Sequence, residues 1–138
     1  MSYAIGVDYG TNSVRALIVD ISNGEEISTS VFNSSCRESG RLCHPTDPNL
    51  ARQIPADYVE RFYRAVSNVV EQSQSCDGFR SEDVVGIGVD TTGSTPIPVN
   101  SEGVALATLD KFKENLAAHA WLWKDHTSHA EAEEITHK

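Results

Sequence analysis

The sequence has no apolar run near the roughly 20 residues that a membrane-crossing helix needs. It also lacks basic charge: 11 Lys and Arg stand against 20 Asp and Glu, for a formal net charge of −9. Nucleic-acid backbones are held by a basic stripe, so that function class is excluded, and neither nucleic acid nor membrane is an expected partner. Met1-Ser2-Tyr3-Ala4 shows no basic stretch ahead of an apolar core, so no secretory leader is expected. Cys36, Cys43 and Cys76 are odd in number and form no Cys-x-x-Cys pair, as expected of free thiols in a reducing, cytoplasmic setting. Cys36 with Cys43-His44 fits no common zinc spacing. No G-x-x-x-x-G-K-[ST] occurs, which excludes a P-loop. Gly86-x-Gly88 is followed by Thr91 where a dinucleotide fingerprint needs glycine, and that match fails.

What remains describes a globular chain with enough residues for one domain: 138 residues, 39% apolar and 22% charged. Tyr3 to Asp8 reads as an apolar strand ending in a carboxylate, and Val14 to Ile21 as a strand covered on both faces. Asn23-Gly24 supplies a tight reversal into a third strand, Ile27 to Phe32, completing an antiparallel meander. Ser34 to Ile54 is polar, with Gly40, Pro45 and Pro48, and reads as a surface excursion. Asp57 to Gln72 is expected to be a helix burying Val59, Phe62, Val66 and Val69, with Asp57 and Glu60 as a capping pair.

Val84 to Asp90 is expected to be a buried strand whose two glycines pack closely on another element. Ser94 to Val99 and Val104 to Thr108 are expected to pair as a hairpin, and Ala118 to Trp123 to form a short strand. Thr127 or Ser128 then caps a helix, with Glu131 three residues after Ser128.

The segment Asp8-Tyr9-Gly10-Thr11-Asn12-Ser13-Val14-Arg15 has the chemistry of a phosphate site. A carboxylate at a strand end can hold Mg²⁺, and Gly10 lets the backbone approach an anion without a Cβ. Thr11, Asn12 and Ser13 offer hydroxyl, amide and main-chain donors within one turn, and Arg15 adds a cation, although alternation can point it elsewhere. The same residues also suit an ordinary hairpin turn.

This motif resembles the opening of the FGGY carbohydrate kinases, within the sugar kinase and actin-like ATPase superfamily. Gly86 to Thr95 (G-I-G-V-D-T-T-G-S-T) is similar to that family's sugar-pocket strand and loop, and Leu122-Trp123-Lys124-Asp125 to its Trp-x-Asp element. D-T-T-G-S-T-P together with W-K-D-H-T resembles the ribulokinase branch more than the xylulokinases or glycerol kinases. The resemblance runs from Tyr3 to about Glu134 and implies an α/β chain of ribonuclease H-like, actin-like ATPase fold. The chain would be the N-terminal part of the first domain, a mixed sheet with an antiparallel meander.

It further implies ATP and Mg²⁺ as cofactors and L-ribulose as substrate, giving L-ribulose 5-phosphate in arabinose catabolism. D-ribulose, ribitol and xylulose remain open, as does a homodimer of the whole enzyme. Asp8 would place the metal, while Gly10, Thr11, Asn12, Ser13 and Arg15 would meet the phosphates. Thr91, Thr92, Gly93, Ser94, Thr95, Trp123, Lys124 and Asp125 would hold the sugar. Trp123 also suits the core and Asp125 a helix start; Asp90 is either a second pocket carboxylate or a buried partner of a turn. His126 and His129 read as solvated. The catalytic base and a C-terminal nucleotide domain would lie beyond Lys138, so the 138 residues alone are expected to be inactive. Three rival readings stand: an aspartyl-phosphate enzyme with Asp8 as nucleophile, a non-catalytic actin-like nucleotide-binding domain, and a degenerate fragment.

Overall fold

The computed structural model describes residues 1–33, 41–44 (backbone only) and 47–138. The chain divides into two compact units: Met1–Ser34 with Tyr58–Thr92, and Ser35–Asp57 with Gly93–Lys138. Among the described residues no helix is long and apolar enough to cross a membrane. Cys76 is a free thiol; Cys36 lies outside the described residues, as do the side chains of Cys43 and His44.

The first unit is built on the expected meander. Strands β1 (Tyr3–Tyr9), β2 (Ser13–Asp20) and β3 (Glu26–Asn33) pair antiparallel, and β6 (Val84–Asp90) adds parallel to β1, giving the order β3-β2-β1-β6. The turn after β2 works as its residues predict: Gly24 takes φ 76°, and its amide donates to the Asp20 carbonyl at 2.8 Å. Period-two alternation sends Tyr3, Ile5, Val7 and Tyr9 of β1, and Val14, Ala16 and Ile18 of β2, into one core.

Helix α1 (Pro55–Ser73) covers that face. Ala65 and Val69 are fully buried, and Tyr58, Phe62, Val66 and Val70 pack around them. Ser28 and Ser73 share a hydrogen bond where β3 meets the helix end.

Several expectations are corrected here. The helix begins at Pro55, whose missing N–H costs nothing in a first turn, so Asp57 lies inside that turn rather than at a cap. Glu60 pairs along the surface with Arg64 at 2.9 Å. Val59 points away from the buried stripe and is 59% exposed. Strand β2 is fully covered on one face only, since Arg15 is exposed and Leu17 and Val19 are half-buried. β6 is not a buried strand: Val85, Ile87 and Val89 are 51–66% exposed, because β1 is its one partner among the described strands. Its glycines do not pack closely either; a Cβ built on Gly86 or Gly88 would meet nothing within 4 Å.

The second unit carries a smaller antiparallel sheet, in the order β4 (Arg41–His44), β5 (Asp47–Gln53), β7 (Ala120–Trp121). The expected surface excursion therefore contains two strands. Pro48 is tolerated as the second residue of β5, and Ala51, Arg52 and Gln53 are buried. The expected hairpin shrinks to one bridge, Val99 to Ala105, because Pro96 and Pro98 cannot donate to a ladder. Its turn survives, with Asn100 Oδ1 accepting from the amides of Glu102 and Val104 and Gly103 at φ 78°. β7 is two residues long, since Leu116–Ala118 winds into a 3₁₀ turn just before it. Helix α2 (His129–Thr136) starts after Ser128 as expected, but the Ser128 side chain makes no capping bond.

Candidate functional site

Asp8 sits one residue from the end of β1, on the face opposite the core. Strand register decides its neighbours: Arg15 lies directly across on β2, and Asp90 directly across on β6. Gly6, in the same row, is flanked by Leu17 and Gly88. Register partners point to the same side of a sheet, so two carboxylates and a guanidinium share one end of one face. Beside them the small residues Gly6 and Gly88 leave a hollow. The resulting cleft of about 380 Å³ is lined by Gly6, Val7, Asp8, Arg15, Leu17, Gly88, Val89 and Asp90.

Among the described residues Asp8 and Arg15 make no ion pair or hydrogen bond with their side chains, so both are available to a ligand. Asp90 is exposed, and its Oδ1 accepts from the Thr91 amide at 2.9 Å. The buried-turn reading of Asp90 fails on its exposure. The sequence offers Asp90 without setting it beside Asp8, does not single out Gly6, and gives Gly88 a packing role rather than a place in this cleft. Only the parallel β1–β6 pairing brings these residues together.

The turn from Gly10 to Ser13 closes next to this row, with the Gly10 amide donating to the Ser13 carbonyl at 2.9 Å. A Cβ on Gly10 would lie 3.4 Å from that carbonyl oxygen, an ordinary contact, so the turn geometry alone does not require glycine there. Thr11 and Ser13 are half-exposed and Asn12 is exposed. Beneath the turn, the Tyr9 hydroxyl donates to the Tyr58 carbonyl at 2.7 Å. Burial raises the pKa of both phenols, partly opposed by Arg61.

Thr91 and Thr92 follow β6 within the first unit, while Gly93, Ser94 and Thr95 open the second. Ser94 has φ 55°, the one left-handed non-glycine residue among those described. Trp123 and Lys124 form the tip of a turn closed by the Asp125 amide donating to the Leu122 carbonyl at 2.8 Å. Trp123 is 54% exposed, and the Lys124 ammonium stands 5.3 Å from the centre of its ring. Asp125 differs from its neighbours. Its side chain is 4% exposed and is paired with Arg52, with the Ala51 amide (2.7 Å) and with Thr127. His126 and His129 are exposed, and no three His, Cys, Asp or Glu gather as a metal set among the described residues.

Residues 3–138 match the model of the FGGY family of carbohydrate kinases, N-terminal domain. The chain belongs to the FGGY carbohydrate kinases. Ribulokinase of Vibrio parahaemolyticus is 43% identical over 133 residues, covering 96% of this chain and 23% of that protein. Ribulokinase of Halalkalibacterium halodurans is 40% identical over 139 residues, covering 96% and 24%. This FGGY chain thus spans about a quarter of the length of the curated relatives it matches.

Among solved structures, a ligand-bound xylulose kinase from Lactobacillus acidophilus superposes with TM-score 0.71 at 15% identity. That match covers 99% of this chain and 23% of the other. Xylulose kinase from Rhodospirillum rubrum gives 0.70 at 17%, covering 97% and 23%. The fold is therefore the actin-like one of FGGY sugar kinases, a mixed α/β sheet carrying an antiparallel meander.

Proposed function

We propose that this chain is the N-terminal, sugar-binding piece of an ATP-dependent ketopentose kinase, acting on L-ribulose. The supporting observation is the cleft at the carboxyl ends of β1 and β6, where the unpaired Asp8 and Arg15 stand beside the Gly10–Ser13 turn. Carboxyl ends of adjacent parallel strands are where α/β sheets bind ligands. The preference for L-ribulose rests on the D-T-T-G-S-T-P and W-K-D-H-T segments and on the name shared by the two relatives above.

The residues present suit Mg²⁺ and nucleotide phosphate. Mg²⁺ is commonly held by one or two carboxylates together with phosphate oxygens and water, and the exposed Asp8 offers one such carboxylate. When bound, the metal would neutralise charge on the transferring phosphoryl group. Arg15, directly across from Asp8, would meet phosphate oxygens, and the turn amides from Gly10 to Ser13 would orient them. Thr91, Thr92, Ser94 and Thr95 would bond sugar hydroxyls, with Gly93 allowing close approach, while Trp123 would give the carbon skeleton an apolar wall. Lys124 would add one directional contact. Asp125 would act from behind them, since its oxygens already have partners. The base that accepts the hydroxyl proton would come from beyond Lys138, as would the domain holding most of the nucleotide.

The test is ATP-dependent phosphorylation of a panel containing L-ribulose, D-ribulose, ribitol and xylulose. The longer protein should convert L-ribulose best, and the 138-residue chain alone should show no turnover. Ordinary kinase turnover by the short chain, or a longer protein that transfers phosphate to none of the four, overturns the proposal.

A further inference from the structure

The turn that carries Trp123 and Lys124 is fastened at both ends to one point on β5. The Leu122 amide donates to the Ala51 carbonyl at 3.1 Å, and the Ala51 amide donates to Asp125 Oδ2 at 2.7 Å. Arg52, the next residue, pairs with the same carboxylate, and both side chains are 4% exposed. Its guanidinium is held on every side. It stacks 3.6 Å from the centre of the Trp121 ring, its Nε donates to the Leu116 carbonyl at 3.2 Å, and its Nη2 donates to Thr127 Oγ1 at 3.4 Å.

Trp121 is the cross-strand partner of Arg52 and also connects outward. Its amide donates to the Pro96 carbonyl at 3.0 Å, which ties in the loop that follows Thr95, and its indole N–H donates to the Ala117 carbonyl at 3.1 Å. A buried cation is expensive to desolvate, and a strand residue needing only to fill space would be apolar. A flat guanidinium can stack and fork at once, which an ammonium cannot.

We infer that Arg52 is a positioning residue, locking the Leu122–Asp125 turn onto β5 and so setting where Trp123 and Lys124 stand. That the positioned residues meet a sugar rests on the function proposed above.

The two tryptophans make the inference measurable in the 138-residue chain. Labelling with 5-fluorotryptophan gives two ¹⁹F resonances, assigned with Trp121→Phe and Trp123→Phe. Arg52→Lys keeps the charge but loses the stack and the fork. It should move both resonances and broaden that of Trp123, while the exposed Arg64→Lys moves neither. Thr127→Val removes one partner from each member of the pair; being milder, it should shift Trp123 the same way by less, and it serves if Arg52→Lys does not fold. A Trp123 resonance unmoved in whichever of these variants folds overturns the inference.

A second arm tests the reading beneath it. L-ribulose added to the wild-type chain should shift Trp123, and in the Arg52→Lys chain the midpoint should rise by about tenfold or more, as expected when a contact is misplaced. A wild-type Trp123 that ignores every ketopentose overturns the sugar reading, while the first arm still decides whether Arg52 sets the turn.

Discussion

Two Asp–Arg neighbours in this chain share their chemistry and differ in what surrounds them. Asp8 and Arg15 face each other across β1 and β2 on an open surface, and neither has a side-chain partner among the described residues. Arg52 and Asp125 lie 73 residues apart in sequence, are closed off from solvent and are bonded at nearly every polar atom. Charge left unpaired beside a cleft is available to a ligand; charge buried and saturated holds a scaffold. The second kind is costly to disrupt and the first is not, because removing one partner of a buried pair strands the other.

The largest expected effect breaks the closed pair. Asp125→Ala leaves the Arg52 guanidinium buried without its carboxylate and should destabilise the chain by about 3–5 kcal/mol in urea unfolding. Asp8→Ala, by contrast, should change stability by no more than ~0.5 kcal/mol, since it removes an exposed, unpartnered group. Equal effects from the two substitutions would erase the distinction.

Gly88→Val probes the open side without touching charge. Its new side chain enters free space, so stability should shift by less than about 1 kcal/mol. The cleft would be partly filled, and phosphorylation by the longer protein should fall sharply in the same preparation. Retained turnover would place the ligand elsewhere.

Ser94→Gly separates strain from function in the loop after β6. Relief of the left-handed cost, about 1–2 kcal/mol, is offset by the greater chain freedom of glycine, ~0.5–1 kcal/mol, so a net gain of about 0.5 kcal/mol is expected. If the Ser94 hydroxyl binds sugar, KM should rise as stability improves; a gain in stability with unchanged KM removes Ser94 from the site.

The smallest effect is a pH dependence at the turn after β2. The hydroxyl and amide of Ser22 both donate to Asp20 Oδ1, at 2.7 and 2.8 Å, and hold its carboxyl below the usual 3.8. A depressed folded pKa gives stability that is fully present above pH ~4 and fades as pH falls through the folded value. Asp20→Asn should flatten that part of the acid unfolding curve, and an unchanged curve would show that Ser22 contributes nothing there.

Local pattern made the β1–β2 hairpin legible. The two strands and the turns at Gly10 and Gly24 are visible in the residues, whereas the one-sided burial of β2 is not, because Leu17 and Val19 are as apolar as the core residues beside them. Parallel pairing is not local, which is why Gly88 and Asp90 could not be set beside Gly6 and Asp8 from sequence. Strand β5 was hidden for a related reason. An arginine and a glutamine in a polar stretch look like surface, and only a carboxylate 73 residues away makes Arg52 an interior residue. The helix was found but rotated: Val59 fits the apolar period, yet the buried stripe runs through Tyr58, Phe62, Ala65 and Val69. The motif offers Asp125 as a sugar contact or a helix start, and neither reading reveals that its oxygens are already occupied by Arg52 and the Ala51 amide.

The central claim is that the open pair serves a ligand and not the fold. It is tested most directly by Asp8→Asn in the longer protein, with ATP-dependent phosphorylation of L-ribulose and thermal unfolding measured on one sample. Turnover should fall by about 100-fold or more, the scale of losing one preorganised electrostatic contact, while Tm stays unchanged. Full turnover by Asp8→Asn, or a loss of turnover matched by a large fall in Tm, would contradict it.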